Sequence, residues 1–187
     1  IAVLALIVLL ASAAPLVTTG APTVQRDVAA TRFLPPFASD QHHVLHPLGT
    51  DRFGRDVWTR LVYGARISLS VSALAVLLSV VLGVAVGGAA GYAGGGVSLV
   101  LLGCTDFALA LPRVVLLLLL ASLWQPSTTL VILVLGFTGW MTVARLVHGE
   151  VRTLAARPFV EGAIALGARR RRVLWRHILP NAMTSVI

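Results

Sequence analysis

The feature that most constrains this chain is a set of apolar runs of membrane length. Crossing the hydrocarbon core of a bilayer as a helix takes roughly 20 apolar residues, and three windows are complete at that length: 67–92, 99–124 and 129–147. Two further runs are cut by the ends of the sequence. Residues 1–17 are apolar and end at Thr18, Thr19 and Gly20, with neither an initiator methionine nor a positively charged leader, so they read as a partial first span and not as a signal peptide. Another apolar stretch begins near Ile178 and stops at Ile187. The expectation is an all-α integral membrane protein, a multi-span helical bundle, met here as a fragment with spans missing at both ends.

Composition agrees and narrows the function classes. Of 187 residues 57% are hydrophobic and 12% charged, about half the charged share of a soluble domain, and the mean hydropathy is +0.91. An ordinary cytosolic enzyme, a disordered tail and a disulfide-stapled secreted module are thereby excluded. Cys104 lies inside an apolar run without an intrachain partner, so it says nothing of redox compartment. All 15 basic residues are arginines, against 7 acidic ones. They border apolar segments and are not interleaved with exposed aromatics, which argues for topology and against nucleic-acid binding.

Arginine counts set the expected orientation. The stretch 145–176 holds Arg145, Arg152, Arg157, Arg169, Arg170, Arg171, Arg172 and Arg176 against Glu150 and Glu161, and is assigned to the cytoplasm. Counting back through three spans puts 18–66 outside. That segment also carries six arginines, in conflict with the rule, but Asp27, Asp40, Asp51 and Asp56 offset them and long segments are weak topological signals. The domain reading is therefore a partial span at 1–17, an extracytoplasmic segment at 18–66, and a core at 67–187 with a cytoplasmic loop at about 150–177. Pro22, Pro35, Pro36 and Pro47 make the outer segment irregular until a short surface helix at about 51–63, which Asp51 is placed to cap and whose partly apolar face is Phe53, Val57, Arg60, Leu61 and Gly64. Gly94-Gly95-Gly96 and Gln125-Pro126-Ser127 are tight turns, which force antiparallel neighbours.

Within the spans, Ala75, Ser79, Gly83, Gly87 and Gly91 put a small residue at every fourth position. Alanine- and glycine-rich composition alone gives such a pattern, but a tight packing seam explains it better, because small side chains let helices approach closely where lipid supplies no hydrophobic driving force. Asp106 and Arg113 stand two turns apart in the third span with Pro112 between them. Part of a translocation path, a structural ion pair, and a span that starts later, near Leu109, remain alternatives. His42, His43 and His46 have metal-like spacing, yet Pro47 follows and no carboxylate or cysteine lies within the cluster, so no metal site is assigned. No Gly-x-Ser-x-Gly, His-Glu-x-x-His or Walker-type phosphate loop occurs, so no catalytic residues are assigned.

The most informative stretch is 157–181. Pro158 suits a first helical turn; Phe159, Val160, Ala163, Ile164, Leu166 and Gly167 then form an apolar arc interrupted by Glu161, and Gly167 closes it before the arginine run. A short apolar helix of this kind suits docking into a groove on another protein, or lying on lipid anchored by its arginines. Glu161-Gly162-Ala163, three residues, Gly167, nine residues, and His177-Ile178-Leu179-Pro180 resemble the "EAA" loop of permease subunits of bacterial ABC importers. Leu48-Gly49-Thr50-Asp51-Arg52-Phe53-Gly54-Arg55-Asp56-Val57, with Arg60 and Tyr63-Gly64-Ala65-Arg66, is similar to the pre-span segment of the second ("C") permease in the dipeptide, oligopeptide and nickel branch. Gly91-Tyr92, Asp106 and Leu109-Ala110-Leu111-Pro112 fit the same branch, and the likeness covers about 45–187. Gly162 departs from the family's usual alanine, and His177 from the isoleucine of the general importer pattern.

The resemblance implies a type I importer permease fold with a cytoplasmic coupling helix. It implies a non-catalytic subunit in a bacterial cytoplasmic membrane, contributing to a path for peptides, nickel or related small solutes. The implied partners are a homologous second permease, two cytoplasmic ATPase subunits that use ATP and Mg, and an extracytoplasmic binding protein; the chain itself binds no cofactor. Glu161, Gly162, Ala163 and Gly167 carry over as the ATPase-coupling residues, with Leu179 and Pro180 opening the next span. A self-contained channel or intramembrane enzyme, with its cytoplasmic helix on lipid, is the alternative from another class.

The expected topology is checked with single cysteines at Ser39 and Ala168 in a Cys104→Ser background. An impermeant thiol reagent on intact cells labels position 39 and spares 168; the opposite pattern inverts the orientation.

Overall fold

The computed structural model describes residues 2–18, 20–25 and 27–185, with Arg113, Arg171 and Ser185 described by backbone alone. The fold is helical and divides into two compact units, one up to Ser70 and one from Val71.

The first unit opens with α1 (Ala2–Ser12) and α2 (Ala14–Val17). The 11 residues of α1 are apolar, but at about 1.5 Å per residue they are too short to cross a bilayer. Asp27 accepts the N–H groups of Ala29 and Ala30 and caps α3 (Val28–Thr31). Two-residue strands β1 (Ala38–Ser39) and β2 (Leu45–His46) pair antiparallel, with Ala38 opposite His46. Asp40 ties their turn by accepting from the N–H groups of His42 and Val44, both at 2.8 Å. Burial works to raise the Asp40 carboxyl, but those two bonds outweigh it and hold it below its ordinary value.

The segment 49–60 closes this unit residue by residue. Gly49 and Gly54 adopt φ of +71° and +70°, where a side chain is strained, and added Cβ atoms would run into Leu34 and Thr31. Thr50 Oγ1 donates to the Thr31 carbonyl and accepts the Leu34 N–H at 2.8 Å. Asp51 Oδ1 accepts the N–H groups of Phe53 and Arg55, while Oδ2 accepts Arg55 Nε at 2.9 Å and Arg60 Nη1 at 2.5 Å. The Arg52 and Arg55 guanidinium groups each lie 4.6 Å from the centre of the Phe53 ring.

Asp51 does not cap a short surface helix as expected. Its oxygens are taken up by the turn, and Asp56 caps the helix instead, accepting the Thr59 N–H at 2.6 Å. That helix, α4 (Val57–Ala93), is a single element of 37 residues with no break at 63, because no proline or reversing glycine intervenes.

The second unit takes in α4 from Val71 together with α5 (Gly95–Leu109), α6 (Arg113–Leu123) and α7 (Thr128–Ala155). Gly94 and Gly95, at φ of +64° and +52°, turn the chain within one residue of the α4 end. Ser127 Oγ accepts the Leu130 N–H and starts α7, which runs eight residues past the expected end at 147. The third span is not one helix over 99–124: α5 and α6 meet at a 76° bend. Pro112 is the cause, since it offers no N–H to Ala108 and its ring would strike that carbonyl; the Leu111 N–H instead makes a tighter bond to Ala108 at 3.3 Å. Helices α4 and α7 are long and apolar enough to cross a membrane, and α5 with α6 are so if taken together. The core sits at the far end of α7, where Val147, Val151, Val160, Val173 and Ile178 are all at most 2% exposed.

The Asp51 turn makes stability pH-dependent with a definite sign. Burial raises its carboxyl pKa, but the Arg55 side chain and the two backbone N–H groups win and bring it to about 2. A carboxyl depressed in the folded state contributes above its unfolded value near 3.8 and ceases to contribute as pH falls toward about 2. On the order of 2 kcal/mol of local stability is therefore lost across that window. Protection of the Phe53 and Arg55 amides in the detergent-solubilised chain, measured against their intrinsic exchange rates, falls across that window, and Asp51→Asn shows reduced protection already at neutral pH.

Candidate functional site

The stretch after α7 forms a short helix, α8 (Pro158–Ala165), fixed at both ends. Arg157 enters it with extended backbone, and Pro158 occupies the first turn, where a missing N–H costs nothing. At the other end Gly167 takes φ +85°. Its N–H donates to the Ile164 carbonyl at 2.9 Å, and the next N–H, of Ala168, reaches back to Ala163 at 3.0 Å. This pair of bonds is a Schellman closure, which needs a left-handed residue at the glycine position. Ala163 and Ala168, the two residues it joins, both pack on the core.

The faces of α8 differ. Val160 is buried and Ala163 packs with it against the cluster that contains Val147 and Val151 of α7. Outward stand Glu161 and Gly162, a Cβ on Gly162 meeting nothing within 4 Å, together with Phe159, Ile164 and a Leu166 that is 91% exposed. The chain returns through α9 (Arg170–Val173) and one π turn, Leu174–Ile178, into α10 (Leu179–Ala182). The π turn accommodates Pro180: the Leu179 N–H bonds to Leu174, and the proline ring avoids the carbonyl an α turn would set against it. Leu179 is buried, its Cδ2 3.2 Å from where a Cβ on Gly88 would lie, and Pro180 is exposed.

The small-residue stripe faces α7. Ala75 and Ser79 are buried. A Cβ on Gly83 would lie 2.5 Å from Val143 Cβ and 2.8 Å from the Trp140 carbonyl oxygen; on Gly87, 3.0 Å from Ala144 Cα; on Gly91, 2.9 Å from both the His148 oxygen and Val151 Cβ. From the other side Gly136 abuts Leu78, Gly139 abuts Ser79, and Ser79 Oγ donates to the Gly136 carbonyl at 3.0 Å. Matched positions rise together along both chains, from Ser79 with Gly136 to Gly91 with His148, so α4 and α7 run parallel. The sequence reading missed the α7 half of the contact, although Gly136, Trp140, Ala144 and His148 repeat with the same four-residue period.

Asp106 has a partner on another helix. Arg145 of α7 donates to Asp106 Oδ1 from Nε at 3.0 Å and from Nη2 at 2.6 Å, with both side chains about half exposed. The Arg113 side chain lies outside the described residues. Ser98 Oγ and His148 Nε2, 3.2 Å apart, make a second polar link between α5 and α7. Below the bend, Leu109, Leu116, Leu120, Leu133, Phe137 and Met141 line an apolar crevice of about 720 Å³. Of the three histidines singled out, His46 is buried with Nδ1 2.9 Å from Asp56 Oδ1 and Nε2 3.8 Å from Asp40 Oδ2. Among the described residues no group of three or more histidine, cysteine or acidic side chains is arranged to hold a metal ion.

Residues 79–187 match the family described as binding-protein-dependent transport system inner membrane component. The chain is 34% identical over 165 residues to the dipeptide transport system permease protein DppC of Bacillus subtilis, covering 88% of this chain and 50% of that protein. It is 32% identical over 142 residues to the oligopeptide transport system permease protein OppC of the same organism, covering 76% and 47%. To a probable peptide ABC transporter permease of Sinorhizobium fredii it is 43% identical over 135 residues, covering 72% and 46%. The chain thus spans about half the length of the curated relatives it matches.

The seam separates glycines by what faces them. Gly87→Ala drives a methyl into the Ala144 backbone, which cannot rotate away, whereas at Gly149 nothing lies within 4 Å. Gly87→Ala therefore lowers the thermal midpoint in detergent, at a cost of about 1–3 kcal/mol typical of overpacking, and Gly149→Ala leaves it unchanged or raises it. Equal midpoints for the two variants would remove the seam from the packing account.

Proposed function

The chain belongs to the binding-protein-dependent transport system inner membrane family, and on that premise we propose that it is a permease subunit of an ATP-driven importer. It is non-catalytic, lies in a bacterial cytoplasmic membrane, and forms part of the path for peptides, nickel or related small solutes. ATP with Mg is used by two partner ATPase subunits on the cytoplasmic side, a homologous second permease completes the path, and an extracytoplasmic binding protein delivers the cargo. The names of the relatives support peptides as the first choice.

One observation carries the coupling role: α8 is a short helix closed at both ends, buried on one face and bare on the other. Its bare face offers Glu161, which accepts hydrogen bonds or pairs with a basic group in a protein groove, flanked by Phe159 and Leu166 as apolar anchors. Its buried face bears on Val147 and Val151 through Val160 and Ala163. A push on α8 therefore moves α7, because a closed helix with one packed face transmits force as a body. The close contact with α4 carries the displacement into a second span. Asp106 and Arg145, a half-exposed ion pair on two helices of the bundle, are assigned to a polar surface along the path, since a charged pair is too costly to leave against lipid.

A cysteine at Leu166, which is 91% exposed, cross-links to the ATPase subunit in the assembled transporter, while one at Ala163, packed against the core, reacts less. Glu161→Lys and Gly167→Val lower ATP-dependent uptake by about tenfold or more, equivalent to ~1.4 kcal/mol of lost coupling, with normal amounts in the membrane. No cross-link from position 166 together with full uptake in both variants would refute the assignment and favour a helix lying on lipid.

A further inference from the structure

We propose that the arginine-bearing segment after Gly167, from Arg169 to Arg176, is a binding surface for anionic lipid headgroups, separate from the protein-docking face of α8. The first ground is charge. Arg169, Arg170, Arg172 and Arg176 are exposed, and among the described residues none of the four has an ion-pair partner. Four guanidinium groups within eight residues make a concentrated positive patch, and each basic group near an anionic bilayer surface strengthens the attraction.

The second ground is level. Val173 and Ile178 are fully buried in the cluster with Val147 and Val151, and Leu179 rests on Gly88, five residues before the end of α4. The apolar part of α7 from Thr128 to Val147 is roughly 20 residues, about 30 Å of helix, and so fills the hydrocarbon core. Val147 and Val151 consequently mark the edge of that core, and the arginines carried by Val173 and Ile178 stand at headgroup depth.

The third ground is Trp175, which lies between Arg172 and Arg176 and is 61% exposed. An indole left bare beside guanidinium groups suits the membrane interface, where the ring meets acyl chains and its N–H meets water and headgroups. A docking face on an ATPase would also use Trp and Arg, but α8 projects its own bare face past the Gly167 reversal, and depth favours lipid for the arginines. This inference does not depend on the coupling role of α8.

The test uses the full chain in detergent, with thermal unfolding followed as dioleoyl-phosphatidylglycerol or dioleoyl-phosphatidylcholine is added. The anionic lipid raises the midpoint by about 4 °C or more beyond the zwitterionic one, high salt reduces that excess, and the variant Arg169→Gln/Arg170→Gln/Arg172→Gln/Arg176→Gln loses it. A measurement on the unaltered chain guards against a variant that fails to fold: native mass spectrometry from an equal mixture of the two lipids retains phosphatidylglycerol in about tenfold excess. Equal retention, equal midpoints, or an excess that survives in the quadruple variant overturns the proposal. So does loss of the position-166 cross-link in that variant while the phosphatidylglycerol effect persists, which would put the arginines on protein.

Discussion

The contact on which the second unit depends is the side-by-side approach of α4 and α7 along their glycines. Inside a bilayer neither helix gains by hiding apolar surface from water, so what holds them is close packing and the polar bonds that closeness permits. Where Gly83, Gly87 and Gly91 face Trp140, Ala144 and His148, there is no room for a methyl group. That proximity lets the Ser79 hydroxyl reach a backbone carbonyl of the opposite helix. Two helices bonded in this way behave as one body, and the elements attached to the far end of α7 inherit its position.

Those elements are the ones proposed above to meet an ATPase and the bilayer surface. The core cluster lies at the far end of α7, and it is built from four valines, an isoleucine, Leu179 and Ala182, contributed by α7, α8, α9, the π turn and α10. Branched side chains with little rotameric freedom make such a cluster stiff. The bare side of α8 and the arginines beyond it thus share one rigid base while pointing at different surroundings. Separating them is the work of Gly167, whose left-handed backbone reverses the chain at the end of a helix only eight residues long.

Much of this was legible in the sequence because membrane helices obey few rules. The four-residue repeat of small side chains and the proline before and glycine after α8 are local signals, whereas the break expected between 63 and 67 is absent, since Val57–Ala93 is one helix. The misreadings came from choices that only tertiary context makes. Asp51 and Asp56 are both credible helix caps; the turn consumes Asp51 because Arg55 and Arg60 converge on it. Pro112 breaks the expected single span over 99–124, and the chain turns by 76° across 110–113. For Asp106, spacing along one helix offered Arg113 alone, and only the fold brings up Arg145, 39 residues distant, as a donor. The α7 side of the seam went unseen because two of its four repeating positions, Trp140 and His148, are large and reveal their backbone contact only once a neighbour is known.

The regularity of the seam carries a consequence of its own. A stripe that repeats every four residues nearly reproduces itself when shifted by one repeat, so sliding α4 along α7 by about 6 Å would again set the α4 glycines against backbone of the α7 row. Such a pair of surfaces has several nearly equivalent registers, like a vernier scale with evenly spaced marks. Ser79 helps to break the degeneracy: its hydroxyl meets the Gly136 carbonyl where a glycine leaves room, and a slip by one repeat would set it against the bulky Trp140 instead. A single hydroxyl near one end of a row of glycines acts as the index pin that makes an otherwise repetitive contact singular.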